Sequence, residues 1–404
     1  MKILHVIPAI APRYGGPSQA IIGLCCALQH QGLEVEICTT DADGPGRLPI
    51  ELGRRILYQQ LPSYFFRRDW SEAFKYSGSL KHWIDQHIEQ YDLAHIHGVF
   101  SHATYAAAHA CQRHGVPYIV RPFGTLEPWC MRQKRPRKLT AWHLGFRRIV
   151  RRAAAIHYTT DQERTLTENS LHLQNGFVVP NGVEDSLLQS HRGHQFRQKL
   201  GLPEGCPFLL ALSRVHPQKG IDLLLQAFVS LKAQGHLVGW HLIIAGSGEP
   251  GYVAKLQRMA HQTSAEGFVH WPGWLYGEAK LAALSEASLF VLSSFLESFG
   301  IGVLEAMACG TPVLVSRPVA LSSEIEMHNS GWVMELSPDG LQRGLLEATA
   351  NPETLRERGE AARQLVAERF TWPKVSEQLR EYYARIVNKH GSILTTEYVC
   401  STND

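Results

Sequence analysis

The chain has no Cys-x-x-Cys pair. Its eight cysteines are scattered, and only Cys25 and Cys26 adjoin. That excludes a disulfide framework of the secreted kind and a cysteine-based zinc site, and it predicts reduced thiols in the cytosol. No apolar run reaches membrane-spanning length. Lys2–Ile10 could pass for a secretory leader, but it is short and interrupted by Pro8, so it is expected to be a first buried strand. There is no low-complexity segment and no short internal repeat. Acid is missing from one place: from Arg132 to Arg152 there are nine Lys or Arg and no Asp or Glu, which leaves net −6 for the rest of a chain whose total is +3.

What is present describes a folded protein. Hydrophobic residues make up 44% and charged residues 19%, which are globular values. A length of 404 residues exceeds what one core usually serves, so two domains are expected. Two sets of short apolar runs alternate with helical patterns. The first is Ile3–Pro8, Val35–Thr39, Leu93–His97, Tyr118–Arg121, Ala155–Thr159 and Phe177–Pro180. The second is Phe208–Ser213, His241–Ala245, Phe268–Trp271, Leu289–Ser293, Val313–Ser316 and Gly331–Leu336. Such alternation predicts two doubly wound, parallel, Rossmann-like α/β domains. The expected boundaries are 1–185 and 186–372, with Glu184–Gln195 as linker. Thr371-Trp372-Pro373 signals a helix start, giving a terminal helix over 373–390 with Val375, Leu379, Tyr382 and Ile386 on one face, then a frayed tail over 391–404.

The most informative segment runs from Glu297 to Glu305. It follows the apolar run Ala287–Leu292 and leads into a helix-like stretch, Val303–Cys309. Two carboxylates thus flank a strand-to-helix turn. Gly300 and Gly302 permit close approach of a ligand to the backbone, and the helix start offers N–H groups to an anion. Carboxylates for hydroxyls beside an anion site suit a ligand that is part sugar and part phosphate, such as a nucleotide sugar.

This segment, with Phe299 and Gly300 between the acids and Ala306–Pro312 after them, resembles the signature of the retaining glycosyltransferases of family 4. The resemblance covers nearly all of residues 1–389. It implies the glycosyltransferase B (GT-B) fold: two Rossmann-like domains facing a central cleft, with a C-terminal helix crossing back to the first. It also implies a metal-independent enzyme with no cofactor, whose second domain binds a UDP- or GDP-sugar and whose first binds a saccharide or lipid-linked acceptor. Glu305 is then expected on the ribose hydroxyls. Glu297, with the backbone N–H groups of Phe299, Gly300 and Ile301, is expected to orient the sugar. No residue stands out as a covalent nucleophile.

Further residues fit that expectation. Arg214 and Lys219 lie in the loop after the first strand of the second set, where open α/β sheets bind ligands, and two cations there can neutralise a diphosphate. Gly15 and Gly16 form a turn after the first strand of the chain, where the family has its phosphate- and sugar-contacting loop. The resemblance places a histidine at His97 near the donor sugar, as a hydrogen-bond donor to a hydroxyl. His95 is given no role: two histidines at i and i+2 share a face, but no carboxylate or Cys lies near in sequence to complete a metal site, and the plain alternative for the pair is a partly buried strand end. Asp41-Ala42-Asp43 is read as a solvated turn, so no metal is expected. Arg121–Trp129 resembles a segment of polysaccharide-assembly members, whose Gly, acid and Trp could shape an acceptor site.

Two other readings stand beside this one. Gly246-Ser247-Gly248-Glu249-Pro250-Gly251 matches the dinucleotide fingerprint after a strand, with Glu266 further on, as in an NAD-dependent dehydrogenase. Pro250 removes a donor that such a site would use. Within the transferase reading Gly246 lines the nucleotide site. A nucleotide-sugar-binding protein without turnover is the third reading. The basic stretch, with Trp142, Leu144, Phe146, Ile149 and Val150 interleaved, resembles a surface-lying helix that meets an anionic membrane, against a solvated helix face. A cytoplasmic enzyme, peripheral at the inner face of the membrane, is the corresponding expectation. Nucleic acid is not expected, since no aromatic platform accompanies the charge.

Overall fold

The computed structural model describes residues 1–133, 135–189, 195–263 and 265–401, with side chains through 390. The chain divides into two compact units, Met1–Gly182 with Trp372–Asp404, and Val183–Thr371. The expected linker falls partly on residues 190–194, outside the described residues.

The first unit is built on an eight-stranded sheet. Its order is Gly176–Val178, Ala155–Tyr158, Tyr118–Arg121, Leu93–His97, Lys2–Val6, Glu34–Thr40, Leu61–Phe66 and Arg55–Tyr58. Seven strands run parallel, and only Arg55–Tyr58 is antiparallel to its neighbour. The last two strands are absent from the sequence-based set. They form a hairpin whose two-residue turn, Gln59-Gln60, has both residues at positive φ, 48° and 68°. That geometry usually selects Asn-Gly, so the turn carries no signal.

The second unit has a six-stranded, wholly parallel sheet. Its order is Val269–Gly273, His241–Ala245, Phe208–Leu212, Leu289–Leu292, Val313–Ser316 and Gly331–Met334. In chain order this is 3-2-1-4-5-6, the dinucleotide-fold arrangement. Alternating side chains serve separate cores: Phe208 and Leu210 pack on one face with Val303 and Leu304, and Leu209 and Ala211 on the other with Leu224 and Phe228. Coverage of both faces explains why the strands read as continuous apolar runs.

The final helix, Trp372–Ser401, belongs to the first unit and packs on helix Gly16–His30. Trp372 fills a slot where a Cβ on Gly23 or Gly182 would collide with its indole. Val375, Leu379 and Tyr383 are fully buried. The helix continues past His390, where fraying was expected. Gly391, the weakest helix former of that stretch, does not stop the helix. Residues 402–404 lie outside the described residues.

Candidate functional site

In the second unit the strand order reverses between Phe208–Leu212 and Leu289–Leu292. The loops after these two strands, Ser213–Gly220 and Ser293–Gly300, therefore leave the sheet side by side at the switch point. They are laced together. The Ser293 hydroxyl donates to the carbonyls of Lys219 and Gly220, 3.0 Å each, and Phe295 N–H donates to Gln218 O at 2.8 Å. Gln218 Nε2 donates to Leu296 O at 3.1 Å. From the other side, Ala320 N–H donates to Glu297 O at 2.9 Å.

This lacing brings together residues 78 apart: Lys219 Nζ and Glu297 Oε2 form an ion pair. Both side chains are half-buried. Arg214, on the same loop, is exposed, and its guanidinium has no hydrogen-bond or ion-pair partner among the described residues. Helix Ile301–Ala308 starts at Gly300, whose φ of 92° lies in the left-handed region. An L-residue there would be strained. The first turn of this helix has N–H groups with no intrahelical acceptor, and Phe299 is buried beneath it. Glu305 sits in the second turn, with Oε1 2.6 Å from Lys280 Nζ. Lys280 was missed by sequence reasoning. It comes from helix Gly277–Glu286, 25 residues away, and nothing local marks it.

Gly246 lies beside this loop, with its backbone packed against protein. A Cβ at Gly246 would collide with the carbonyl of Ser213, and one at Gly248 with that of Val215. The Val215 N–H donates to Ser247 O at 2.8 Å. The glycines of the apparent dinucleotide fingerprint thus admit the loop that carries Arg214. The fingerprint also follows the second strand of its sheet, and the Glu249 carboxylate caps the next helix, accepting from Gly251 N–H at 3.0 Å and Tyr252 N–H at 2.8 Å. A pyrophosphate would need those donors.

In the first unit the corresponding reversal falls between Lys2–Val6 and Leu93–His97. Gly15 and Gly16 stand at the start of helix Gly16–His30, which follows the first of these strands. His97 ends the other. The strand end is more than partly buried: His95 and His97 are both wholly buried, because strands lie on either side of them. They also have company. Parallel pairing sets His5 opposite His95, and His157 and Tyr383 complete a buried polar cluster beside Arg121. Ring nitrogens of His5, His95 and His97 lie within 4.8 Å of one another, as metal ligands can. Here the facing nitrogens already bond to each other and to Tyr383. Burial, helped by the charge of Arg121, pushes His5 down to about 3. Burial itself leaves Arg121 lowered to about 10, so it remains a cation at neutral pH. A dication would have to displace those bonds beside that guanidinium.

The Asp41-Ala42-Asp43 turn is not solvated as expected. Asp41 is buried, and its Oδ1 accepts from Arg68 N–H at 2.7 Å. Asp43 lies 3.6 Å from Arg13 Nε. Ala42–Asp43 pairs with Gly46–Arg47 as a small ribbon, which tucks Asp41 inward. In the segment Arg121–Trp129, Trp129 is exposed while Glu127 is buried. Burial first, and then the Glu163 carboxyl, push Glu127 up to about 7. Glu163 holds the loop, accepting from Gly124 N–H at 2.6 Å and from the N–H and hydroxyl of Thr159, both at 2.8 Å.

The basic stretch needs correction. Trp142, Phe146, Ile149 and Val150 are core residues of the first unit, because the helices there turn their apolar side inward. Leu144, 82% exposed, is what remains for an apolar contact. Arg147, Arg148, Arg151 and Arg152 flank this region; Lys134 lies outside the described residues. Among the described residues no helix is long and apolar enough to cross a membrane.

Comparison with known proteins agrees with this fold. The family described as "Glycosyl transferases group 1" matches residues 194–365, and the "Glycosyl transferase 4-like domain" matches 15–182. The chain is 26% identical to a D-inositol 3-phosphate glycosyltransferase of Jonesia denitrificans, covering 95% of each. It is 23% identical to a GDP-mannose:cellobiosyl-diphosphopolyprenol alpha-mannosyltransferase of Komagataeibacter xylinus, over 96% of this chain and 94% of that protein. Among solved structures it resembles Anabaena HepE in complex with UDP and glucose, with a TM-score of 0.77 at 19% identity over 95% of this chain and all of that one. Sucrose-phosphate synthase of Thermosynechococcus elongatus gives a TM-score of 0.78 at 19% identity, over 96% and 99%.

Proposed function

The chain belongs to the glycosyltransferase group 1 family (GT4, GT-B fold) and is a glycosyltransferase that uses nucleotide-sugar donors, and from that premise we propose a retaining hexosyltransferase acting from a UDP- or GDP-sugar. The acceptor is a hydroxyl of a saccharide or lipid-linked saccharide, in polysaccharide or glycoconjugate assembly. The observation that carries the reading is the Lys219–Glu297 pair at the switch point of the second unit. A diphosphate arriving there competes for Lys219 and meets the unpartnered Arg214. Glu297 is then released to accept from sugar hydroxyls. Lys280 orients Glu305, whose second oxygen is left for the ribose.

In a retaining transfer the bond from the anomeric carbon to the phosphate oxygen breaks. The bond to the acceptor oxygen forms on the same face, and the acceptor proton goes to the departing phosphate. Arg214 and Lys219 stabilise charge that grows on that phosphate, so they act more strongly in the transition state than before it. The second unit holds the donor and the first unit the acceptor, with Gly15 and Gly16 at its loop and His97 on a sugar hydroxyl. The exposed arginines beside Leu144 draw the first unit to an anionic surface, which would suit a lipid-linked acceptor.

A thermal-shift panel of nucleotide sugars tests the donor. A ligand at 100 times its Kd stabilises by about 2.7 kcal/mol, so one of the UDP- or GDP-sugars should raise Tm and NAD should not. Release of free UDP or GDP when acceptor is added separates transfer from mere binding. A shift with NAD alone would overturn the reading.

A further inference from the structure

The first unit contains a continuous line of buried polar side chains, of which the proposed chemistry uses one end. It begins at the carbonyl of Val179, 2.8 Å from His157 Nε2. His157 Nδ1 is 3.3 Å from His95 Nε2. His95 Nδ1 is 2.6 Å from the Tyr383 hydroxyl, which is 3.5 Å from His5 Nε2. His5 Nδ1 is 3.0 Å from His97 Nε2. His97 Nδ1 is buried and has no partner. The four rings and the tyrosine are at most 1% exposed.

The rings are neutral. Burial, with the charge of Arg121 and the neighbouring imidazoles, pushes His95, His97 and His157 well below the usual histidine range. Each ring therefore carries one hydrogen, and one carbonyl fixes where all of them sit. A carbonyl can only accept, so His157 Nε2 bears hydrogen and its Nδ1 is bare. His95 must then donate from Nε2, and its bare Nδ1 accepts from the Tyr383 hydroxyl. The tyrosine oxygen is left as acceptor for His5 Nε2–H. His5 Nδ1 is bare and accepts from His97 Nε2–H.

The Tyr383–His5 link is the longest of the line, and the opposite arrangement of the last two rings is the alternative it leaves. It would set a bare His5 Nε2 against the tyrosine oxygen, lone pair to lone pair. It would also leave a buried N–H at His97 Nδ1 with no acceptor. Orphaned buried donors are rarer than under-used acceptors. Both costs favour the first arrangement.

We infer that His5, His95, His157 and Tyr383 are positioning residues that hold His97 in the Nε2–H form, so that its bare Nδ1 accepts from a sugar hydroxyl. This rests on the reading of His97 as a sugar contact, and it reverses the direction expected from the sequence. It also gives the C-terminal helix a part in the chemistry beyond packing, because Tyr383 is the link between the two halves of the line.

The test has two arms. In protein carrying 15N-histidine, long-range proton–nitrogen spectra should show His97 with a bare Nδ1 and a protonated Nε2, identified by its loss in His97→Asn. In Tyr383→Phe the His97 signals should shift toward a mixture of both forms. A protonated Nδ1 in the wild type, or signals indifferent to Tyr383→Phe, would overturn the inference. The second arm is a double-mutant cycle on the KM for whichever sugar substrate His97→Asn weakens. Tyr383→Phe alone should raise it on the order of five- to tenfold, the worth of one hydrogen bond. In His97→Asn the side-chain oxygen accepts whatever the relay does, so Tyr383→Phe should then change KM by less than about twofold. Equal effects in both backgrounds would mean that Tyr383 only supports the fold. Absence of turnover with every nucleotide sugar would sink the proposed function, and the nitrogen spectra would still decide the relay.

Discussion

Glu127→Gln should make the protein more stable above pH 7 and should matter little below pH 5. The wild-type carboxyl is 4% exposed. Burial and the nearby Glu163 raise it from 4.5 to about 7. An acid with a raised folded-state pKa keeps its full contribution below the unfolded value and loses it as pH rises through the folded one. The window is therefore pH 4.5 to 7, with the loss complete above 7. A rise of this size corresponds to about 3 kcal/mol at 1.36 kcal/mol per pH unit. Between pH 5 and pH 8 about 2–3 kcal/mol of that falls away, since part is already gone at pH 5. The amide of Gln does not ionise, so its burial cost is the same at both pH values. Urea denaturation of wild type and variant at pH 5 and pH 8, compared at a common m value, reads the difference directly. The variant's advantage should grow by about 2–3 kcal/mol between the two. An advantage that does not change with pH would refute the argument, because it would mean that Glu127 titrates normally. If the loop also meets the acceptor, the KM for the acceptor should change around pH 7, as the carboxyl turns from hydrogen-bond donor to acceptor.

Glu297→Ala should cost on the order of 10²–10³ in turnover while circular dichroism stays native, since one transition-state contact is lost; wild-type turnover would remove Glu297 from the site. Arg214→Ala and Lys219→Ala should each weaken binding of the nucleoside diphosphate more than that of the nucleoside, and equal losses by calorimetry would show that neither meets phosphate. Activity should survive EDTA, because Asp41 and Asp43 are engaged by Arg68 and Arg13 and the histidine cluster is bonded within itself; loss restored by manganese or magnesium would contradict this. Binding to anionic vesicles should be weak and should vanish at high salt, as attraction between surface charges is screened within about 10 Å at 0.1 M; the burial of Trp142, Phe146 and Ile149 removes the apolar contribution that would resist salt. Equal binding to neutral vesicles would point to Leu144 instead.

The sequence alone determined the alternation of strand and helix, because doubly covered parallel strands must be apolar on both faces and so stand out as short runs. It also determined the Glu297–Glu305 turn and the loop of Arg214 and Lys219, since both are contiguous and each lies at the carboxyl end of a strand. It was silent where information is not local. The Gln59-Gln60 hairpin has turn geometry without turn residues. Trp142 and Phe146 follow the same spacing whether they face lipid or core, and only the neighbouring helices decide which. Gly246 and Gly248 spell a nucleotide fingerprint, yet the space above them is filled by a loop that precedes them in the chain. The Lys219–Glu297 and Lys280–Glu305 pairs, and the line from His97 to Tyr383, depend on register between parallel strands and on where the last helix docks. Residues hundreds apart in the chain meet there because burial of apolar faces fixes the strands and the helix, and the polar groups carried on them must then find one another.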